Sequence, residues 1–256
     1  MKDSRFFFIL GIQRSGTTML MDLLGSHPDV LTIGEILKHN GKIKYPEFSF
    51  KMFLEESILK HKIRDIHENN SENLNEKNLD SYFNELRFRI DKKLIGIKLM
   101  VSQLNHTPDL WRIIFKHCNT GILVKRKNII QILVSRMTAK KREAYTHAKK
   151  PEVVTVTIDP AIIVKQLDQI KLEQEQSEKI FSQFEGSKQT FVYETFKNIP
   201  SDFQRQLHKL LDLSKYNLTT DLVKSNPEFL NEIVENYKEL KLALRDHHHF
   251  LSEEIK

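Results

Sequence analysis

The segment Phe6 to Val30, FFFILGIQRSGTTMLMDLLGSHPDV, constrains the fold of this 256-residue chain more than any other stretch. It begins with a continuous run of bulky apolar residues, Phe6 to Leu10, which is typical of a strand buried on both faces of a parallel sheet. Gly11 ends this run, and the residues that follow are mostly small and polar. Apolar residues then recur at helical spacing, at Met19, Leu20, Leu23 and Leu24. The sequence therefore predicts a strand, a tight loop and a helix.

The loop between this strand and this helix is predicted to bind an anion. A loop that leads into a helix amino terminus collects unpaired backbone N–H groups, and the helix dipole adds positive potential there. The spacing Gly11-x4-Gly16 matches the first part of the nucleotide-binding P-loop, GxxxxGK[ST], but Thr17 stands where that motif has lysine and Thr18 fills its hydroxyl position. Because Arg14 offers a planar fork of donors to a nearby anion, we expect a phosphate or sulfate here rather than ATP.

Further motifs follow in order along nearly the whole chain, and together they resemble the sulfotransferases that use 3′-phosphoadenosine 5′-phosphosulfate (PAPS). The resemblance is closest to the bacterial carbohydrate type and the tyrosylprotein type. It rests on Phe8 to Thr18, His27-Pro28, Gly34-Glu35, Gly96-Ile97-Lys98, Leu123 to Asn128 with Ser135, Val192-Tyr193-Glu194, and Asn226-Pro227 with Glu235-Asn236-Tyr237. It implies transfer of a sulfuryl group to an acceptor hydroxyl, with adenosine 3′,5′-bisphosphate as product. A carbohydrate or glycolipid is the favoured acceptor, and a natural product is the alternative.

The resemblance also implies which residues bind the donor. The 5′-phosphosulfate would be bound by Arg14, Ser15, Gly16, Thr17 and Thr18, and Arg14 would also act in catalysis by stabilising the leaving phosphate. The 3′-phosphate would be bound by Arg126 and Ser135, although their spacing is one residue longer than in the cytosolic type, so that Lys127 is an alternative match. Tyr193 corresponds to an aromatic residue near the adenine, and Lys224 precedes a segment that would fold over the nucleotide.

The acceptor hydroxyl must lose a proton, and a carboxylate within hydrogen-bond reach could take it. Glu35 is predicted to be this general base, because in the carbohydrate and tyrosylprotein types a glutamate after the second strand has this role. The cytosolic type uses a histidine after a Lys-Thr pair, but the corresponding residues here are Lys98-Leu99-Met100. Histidines remain as rival bases, namely His39, His106 and His147. The predicted acceptor-side residues are Glu35, His39, Lys98 and His147.

The predicted fold class is α/β, with a doubly wound, P-loop-NTPase-like parallel sheet in a three-layer α/β/α arrangement. A single domain is expected over residues 1–256, with a helical insertion at about 37–92 that either shapes the acceptor pocket or covers the sheet. The further predicted strands are Val30–Ile33, Leu94–Lys98, Gly121–Val124 and Thr190–Tyr193. The further predicted helices are Phe50–Ile66, Leu79–Ile90, Thr107–Cys118, one capped by Asn128, Asp159–Phe184, Asp202–Leu211 and Pro227–Leu244.

Composition narrows the function classes further. Apolar residues make up 39% and charged residues 29%, which excludes wholesale disorder. The formal net charge of +6 favours an anionic partner, and a nucleotide would meet this expectation as well as a nucleic acid. No zinc knuckle or aromatic-rich motif of nucleic-acid-binding proteins is found in the sequence. No metal site is predicted, and His247-His248-His249 is interpreted as a chance run.

The expected location is cytoplasmic. Cys118 is the only cysteine, so no internal disulfide can form and a reducing compartment is favoured. No apolar run approaches the roughly 20 residues that a membrane span needs. Some members of the family that the chain resembles carry a membrane anchor, and this sequence shows no such segment. The oligomeric state is not predicted.

A P-loop kinase or NTPase is the alternative function. It would need a lysine in the loop and, in most cases, an aspartate at the end of an apolar strand to bind Mg²⁺. Thr17 replaces the lysine, and the strand Gly121–Val124 is followed by Lys125-Arg126.

Overall fold

The computed structural model describes residues 4–37, 45–59, 75–104, 109–142, 152–224, 226–227, 229–247 and 250. Its strands are β1 (Arg5–Gly11), β2 (Val30–Gly34), β3 (Leu94–Met100), β4 (Cys118–Lys125) and β5 (Ser187–Val192). Its helices are α1 (Thr17–Gly25), α2 (Phe50–Leu59), α3 (Glu76–Arg89), α4 (Val101–Leu104), α5 (Leu110–His117), α6 (Ile129–Lys141), α7 (Ile163–Ser182), α8 (Tyr193–Phe196), α9 (Ser201–Leu211) and α10 (Tyr237–Ala243), with short 3₁₀ turns at Pro46–Phe48 and Leu230–Glu232.

The five strands form one parallel sheet in the order β2-β3-β1-β4-β5, with β1 at its centre. Phe8 of β1 lies opposite Ile97 of β3 and Gly121 of β4. A Cβ atom on Gly121 would lie 2.5 Å from the Phe8 ring, and one on Gly96 would lie 2.4 Å from the Phe7 ring. The glycines on the flanking strands therefore make room for the large rings of the central strand.

Side chains of β1 alternate between two hydrophobic cores, one on each face of the sheet. Phe6, Phe8 and Leu10 belong to the core that includes residues of α3, α5, α6 and α7. Phe7 and Ile9 belong to the core that includes residues of α1, α8 and α9. Helices therefore cover both faces, and the predicted α/β class with three layers is confirmed.

Several predicted element boundaries were wrong. Cys118 was predicted to end a helix, but its backbone is extended and it begins β4 opposite Phe6. Tyr193 was predicted to end a strand, but it begins α8. The long helix begins at Ile163 rather than at Asp159 and ends at Ser182.

The predicted helix Pro227–Leu244 is also interrupted, because its middle takes part in other contacts. Val234 makes a parallel bridge with Val156, and the Asn236 side chain hydrogen-bonds the backbone N–H and carbonyl of Ile158. Among the described residues of this range, only the 3₁₀ turn at Leu230–Glu232 and α10 are helical.

The predicted cap at Asn128 is confirmed, since its side chain accepts a hydrogen bond from the backbone N–H of Gln131. In the region of the predicted insertion, α2 and α3 are present, and residues 60–66 of the first predicted helix lie outside the described residues. Among the described helices, none combines the length and apolar character that a membrane crossing requires.

Candidate functional site

A cavity of about 270 Å³ lies at the carboxyl edge of the sheet, where β1, β4 and β5 deliver their following loops. The predicted donor-binding residues that line it are Arg14, Gly16, Thr17, Thr18, Arg126, Ser135, Tyr193 and Lys224. Lys197 also lines it, so that four cationic side chains face this space, and none of its described lining residues is Asp or Glu. This edge is the one at which open α/β sheets bind ligands.

The loop after β1 is held in a conformation that anion-binding loops use. Arg14 and Gly16 have positive φ angles of 71° and 104°, in the left-handed region. Between them, the backbone N–H and the hydroxyl of Ser15 both donate to the carbonyl of Ile12, at 3.2 and 2.8 Å. No side chain caps α1, because its N-cap is Gly16, and this arrangement is typical of a helix amino terminus that binds an anion.

Tyr193 links this loop to the end of β5. A Cβ atom at position 16 would lie 2.4 Å from Cδ2 of Tyr193, so the ring lies directly against Gly16. The positive φ of Gly16 and this close approach both favour glycine.

Arg126 is the most constrained cation of the site. It follows β4, and only 8% of its surface is exposed. Its guanidinium donates to Gln131 Oε1 at 2.6 Å and to the carbonyl of Arg14 at 3.1 Å, and it lies 4.7 Å from the centre of the Tyr193 ring. Gln174 also donates to the backbone carbonyl of Arg126 at 3.0 Å.

The structure brings together the residues predicted for the two ends of the donor. Arg14 Nε donates to Ser135 Oγ at 2.8 Å, and Arg126 contacts the backbone of Arg14. Lys127, the alternative match for the 3′-phosphate, is exposed and does not line the cavity. Ser15 is fully buried within the loop and does not line the cavity, because its hydroxyl donates to the carbonyl of Ile12.

Glu35 follows β2 and lies beside the cavity rather than in its lining. Its Oε1 is 2.7 Å from Lys98 Nζ, and its Oε2 accepts a hydrogen bond from Gln103 Nε2 at 3.1 Å. Lys98 Nζ also donates to Thr18 Oγ1 at 3.1 Å. Because Thr18 lines the cavity, a continuous polar chain joins Glu35 to the loop after β1.

The rival bases cannot be placed, because His39, His106 and His147 lie outside the described residues. In the described ranges, no group of three or more His, Cys, Asp and Glu side chains could hold a metal ion.

The side chains of the site that the sequence did not predict include Gln103, Gln131, Glu194 and Lys197. Glu194 stands in the Val192-Tyr193-Glu194 block, which was the available signal for it. The two glutamines have no signal of their own, since each makes one or two hydrogen bonds that only the folded chain reveals.

Comparison with known proteins places this chain near the sulfotransferases. Residues 7–114 match the model of the sulfotransferase family. The matched region contains the loop after β1, Glu35 and Lys98, whereas Arg126 and Tyr193 lie beyond it. A search of curated proteins found no match. The family match confirms the sulfotransferase resemblance, while its carbohydrate and tyrosylprotein subtypes stay a prediction.

Solved structures of two sulfotransferases are also similar to the chain. The sulfotransferase from Alicyclobacillus acidocaldarius has 16% sequence identity and a TM-score of 0.49, and the alignment covers 94% of this chain and 93% of that one. Sulfotransferase STF1 from Mycobacterium tuberculosis H37Rv has 12% identity and a TM-score of 0.43, with 95% and 71% covered.

Proposed function

We propose that this protein is a sulfotransferase that moves a sulfuryl group from PAPS to a hydroxyl of an acceptor. The observation that carries the proposal is the cavity in which the loop after β1 meets Arg126 and Ser135. Its cations and the absence of acidic groups among its described lining residues suit a ligand with negative charge at two separate ends. The family match over residues 7–114 supports the same class of reaction.

The residues of the cavity fit the donor as follows. The loop of residues 14–18 and the start of α1 would hold the 5′-phosphosulfate, and Arg126 with Ser135 would hold the 3′-phosphate. Tyr193 and Lys224 would contact the nucleoside. Arg126 is favoured over Lys127 as the 3′-phosphate ligand, because it is buried, oriented by neighbours and part of the lining.

When bound, the donor supplies a sulfuryl group on an anhydride whose leaving group is adenosine 3′,5′-bisphosphate. Arg14 would stabilise the negative charge that develops on the leaving phosphate, because it stands in the loop that binds this end. Lys98 adds a second cation beside Thr18, from the neighbouring strand. Two positive charges therefore flank the place where the charge builds.

Glu35 would accept the proton of the acceptor hydroxyl. Lys98 and Gln103 each hold one oxygen of its carboxylate, so the group is oriented before an acceptor arrives. A carboxylate oxygen has two lone pairs, and Oε2 can therefore accept from a hydroxyl while Gln103 remains bound.

We further propose a carbohydrate or glycolipid as the acceptor, and a single domain in which the region 37–92 shapes the acceptor pocket. His39 and His147 stay proposed acceptor-side residues. A screen of sugar and lipid acceptors with labelled donor would identify the substrate, because transfer of the label reports the reaction directly.

Thermal unfolding with added nucleotides tests the proposed donor. Adenosine 3′,5′-bisphosphate should raise the melting temperature, since a ligand at 100 times its Kd stabilises the folded state by about 2.7 kcal/mol. Mg-ATP at the same concentration is the control and should give a smaller shift. Stabilisation by Mg-ATP alone would instead favour the P-loop kinase or NTPase.

A further inference from the structure

We infer that Glu194 is a positioning residue that fixes Arg126 and thereby sets the selectivity of the site for a 3′-phosphorylated nucleotide. This inference rests on the proposed function. Glu194 does not line the cavity, so it acts through the loop between β4 and α6 rather than by touching the nucleotide.

The carboxylate of Glu194 binds two consecutive backbone N–H groups of this loop. Oε2 accepts from the N–H of Lys127 at 3.0 Å, and Oε1 accepts from the N–H of Asn128 at 3.1 Å. Oε1 also lies 4.0 Å from Nε of Arg126. Glu194 therefore holds the two residues that directly follow Arg126, and hydrogen bonds to a charged acceptor are the stronger kind.

Two neighbouring residues of α8 act on Arg126 together. Tyr193 lies against the guanidinium, and Glu194 ties down the backbone that follows it. Hydrogen bonds to Gln131 and to the carbonyl of Arg14 fix the orientation of the guanidinium. Since β5 leads directly into α8, pairing of this strand with the sheet positions Tyr193 and Glu194 together.

The two roles that Glu194 could have, as a negative charge near the site or as a support for Arg126, predict opposite changes in 3′-phosphate binding when it is removed. If only its negative charge mattered, its removal would strengthen binding of a 3′-phosphate, because like charges repel. If it positions Arg126, its removal should weaken that binding and leave a nucleotide without the 3′-phosphate almost unaffected. The sign of the change therefore separates the two roles.

The test compares the Kd values of adenosine 3′,5′-bisphosphate and adenosine 5′-monophosphate by calorimetry. Selectivity is the ratio of the second Kd to the first. In Glu194→Ala this ratio should fall about tenfold, the size expected when hydrogen bonds to a charged group are lost. Glu194→Gln keeps one acceptor oxygen and should fall between this variant and the wild type.

Glu178→Gln is the matched control. Glu178 pairs with Lys125, the residue before Arg126, at 2.6 Å, and neither residue lines the cavity. This variant loses a carboxylate next to the same strand end, and its selectivity should equal that of the wild type.

A double-mutant cycle with Arg126→Ala tests the route of the effect. In the absence of Arg126, Glu194→Ala should change the selectivity no further. Additive losses would overturn the inference, as would an unchanged or increased selectivity in Glu194→Ala. The selectivity of the wild type tests the proposed function separately. A wild type that binds adenosine 3′,5′-bisphosphate no more tightly than adenosine 5′-monophosphate would contradict that function, whatever the variants show.

Discussion

Lys98 gives the site a lysine, which the loop after β1 lacks. In a P-loop the lysine comes from the loop itself, at the position that Thr17 occupies here. Lys98 instead reaches Thr18 from the adjacent strand β3 and also binds Glu35. One ammonium group therefore connects the donor side of the proposed site with its base.

Substitution of Glu35 by glutamine should remove the proposed general base and leave the proposed donor site intact. We expect turnover to fall by about 10² to 10⁴, the usual contribution of a positioned base. The Kd of adenosine 3′,5′-bisphosphate should stay within about twofold, because Glu35 does not line the cavity. Rates with labelled donor and calorimetry would measure both. Undiminished turnover would transfer the role to a histidine.

At the scale of elements, two histidines lie where the segment after α9 meets the carboxyl end of α1. His27 Nε2 donates to the carbonyl of Ser214, and its Nδ1 accepts from the N–H of Asp29. The His208 ring lies 6.2 Å from the His27 ring. The pKa of His208 is lowered, first by burial and then by His27 and Lys215.

The lowered pKa of His208 predicts a loss of stability in mild acid. The unfolded chain takes up a proton near the ordinary histidine pKa, about 6.5, whereas the folded chain resists it to lower pH. The free energy of unfolding should therefore decrease as the pH falls below about 6.5. Urea unfolding at pH 7.5 and 5.5 measures this decrease, which should be smaller in His208→Gln.

His117 contributes in the same direction, because burial lowers its pKa despite the hydrogen bond to Asp80. An equal decrease in His208→Gln and the wild type would contradict the assignment to His208.

The elements also show what the sequence could and could not predict. Apolar runs bounded by glycine or polar residues identified the five strands, although β5 is largely exposed, and the parallel order then placed Arg14, Arg126 and Tyr193 at one edge. The ends of elements were less predictable, because Cys118 is apolar in either state and only its pairing with Phe6 makes it a strand residue.

The direct hydrogen bond between Arg14 and Ser135 could not be predicted either, although both residues were assigned to the donor site. The two residues are 121 positions apart, and their hydrogen bond depends on how α6 is oriented against the loop after β1. Glu194 illustrates the same limit, since its role depends on two backbone N–H groups, which every residue but proline has.

At the scale of the whole molecule, stability depends on the central strand because both cores include its side chains. Phe8 is fully buried, stacks on Phe115 with ring centres 4.6 Å apart, and meets Phe184 edge to face at 4.9 Å. Phe181 adds a third ring, whose centre lies 6.1 Å from that of Phe8. Its removal should leave a cavity that the surrounding rings cannot fill.

Phe8→Ala should lower the free energy of unfolding by about 3 to 5 kcal/mol, as expected for truncation of a buried phenylalanine. Denaturant unfolding would measure the change. Phe88 is the matched control, because its side chain is 83% exposed, and Phe88→Ala should change stability by less than about 0.5 kcal/mol. Equal effects of the two substitutions would contradict the described packing.

The cavity draws its lining from segments far apart in the chain, from Arg14 after the first strand to Ile233 beyond the last one. The proposed nucleotide would therefore meet all of its contacts only after β5 and α8 have joined the sheet. The affinity for nucleotide would then report how completely a given molecule has folded. A column of immobilised nucleotide would retain native molecules and let incompletely folded ones pass.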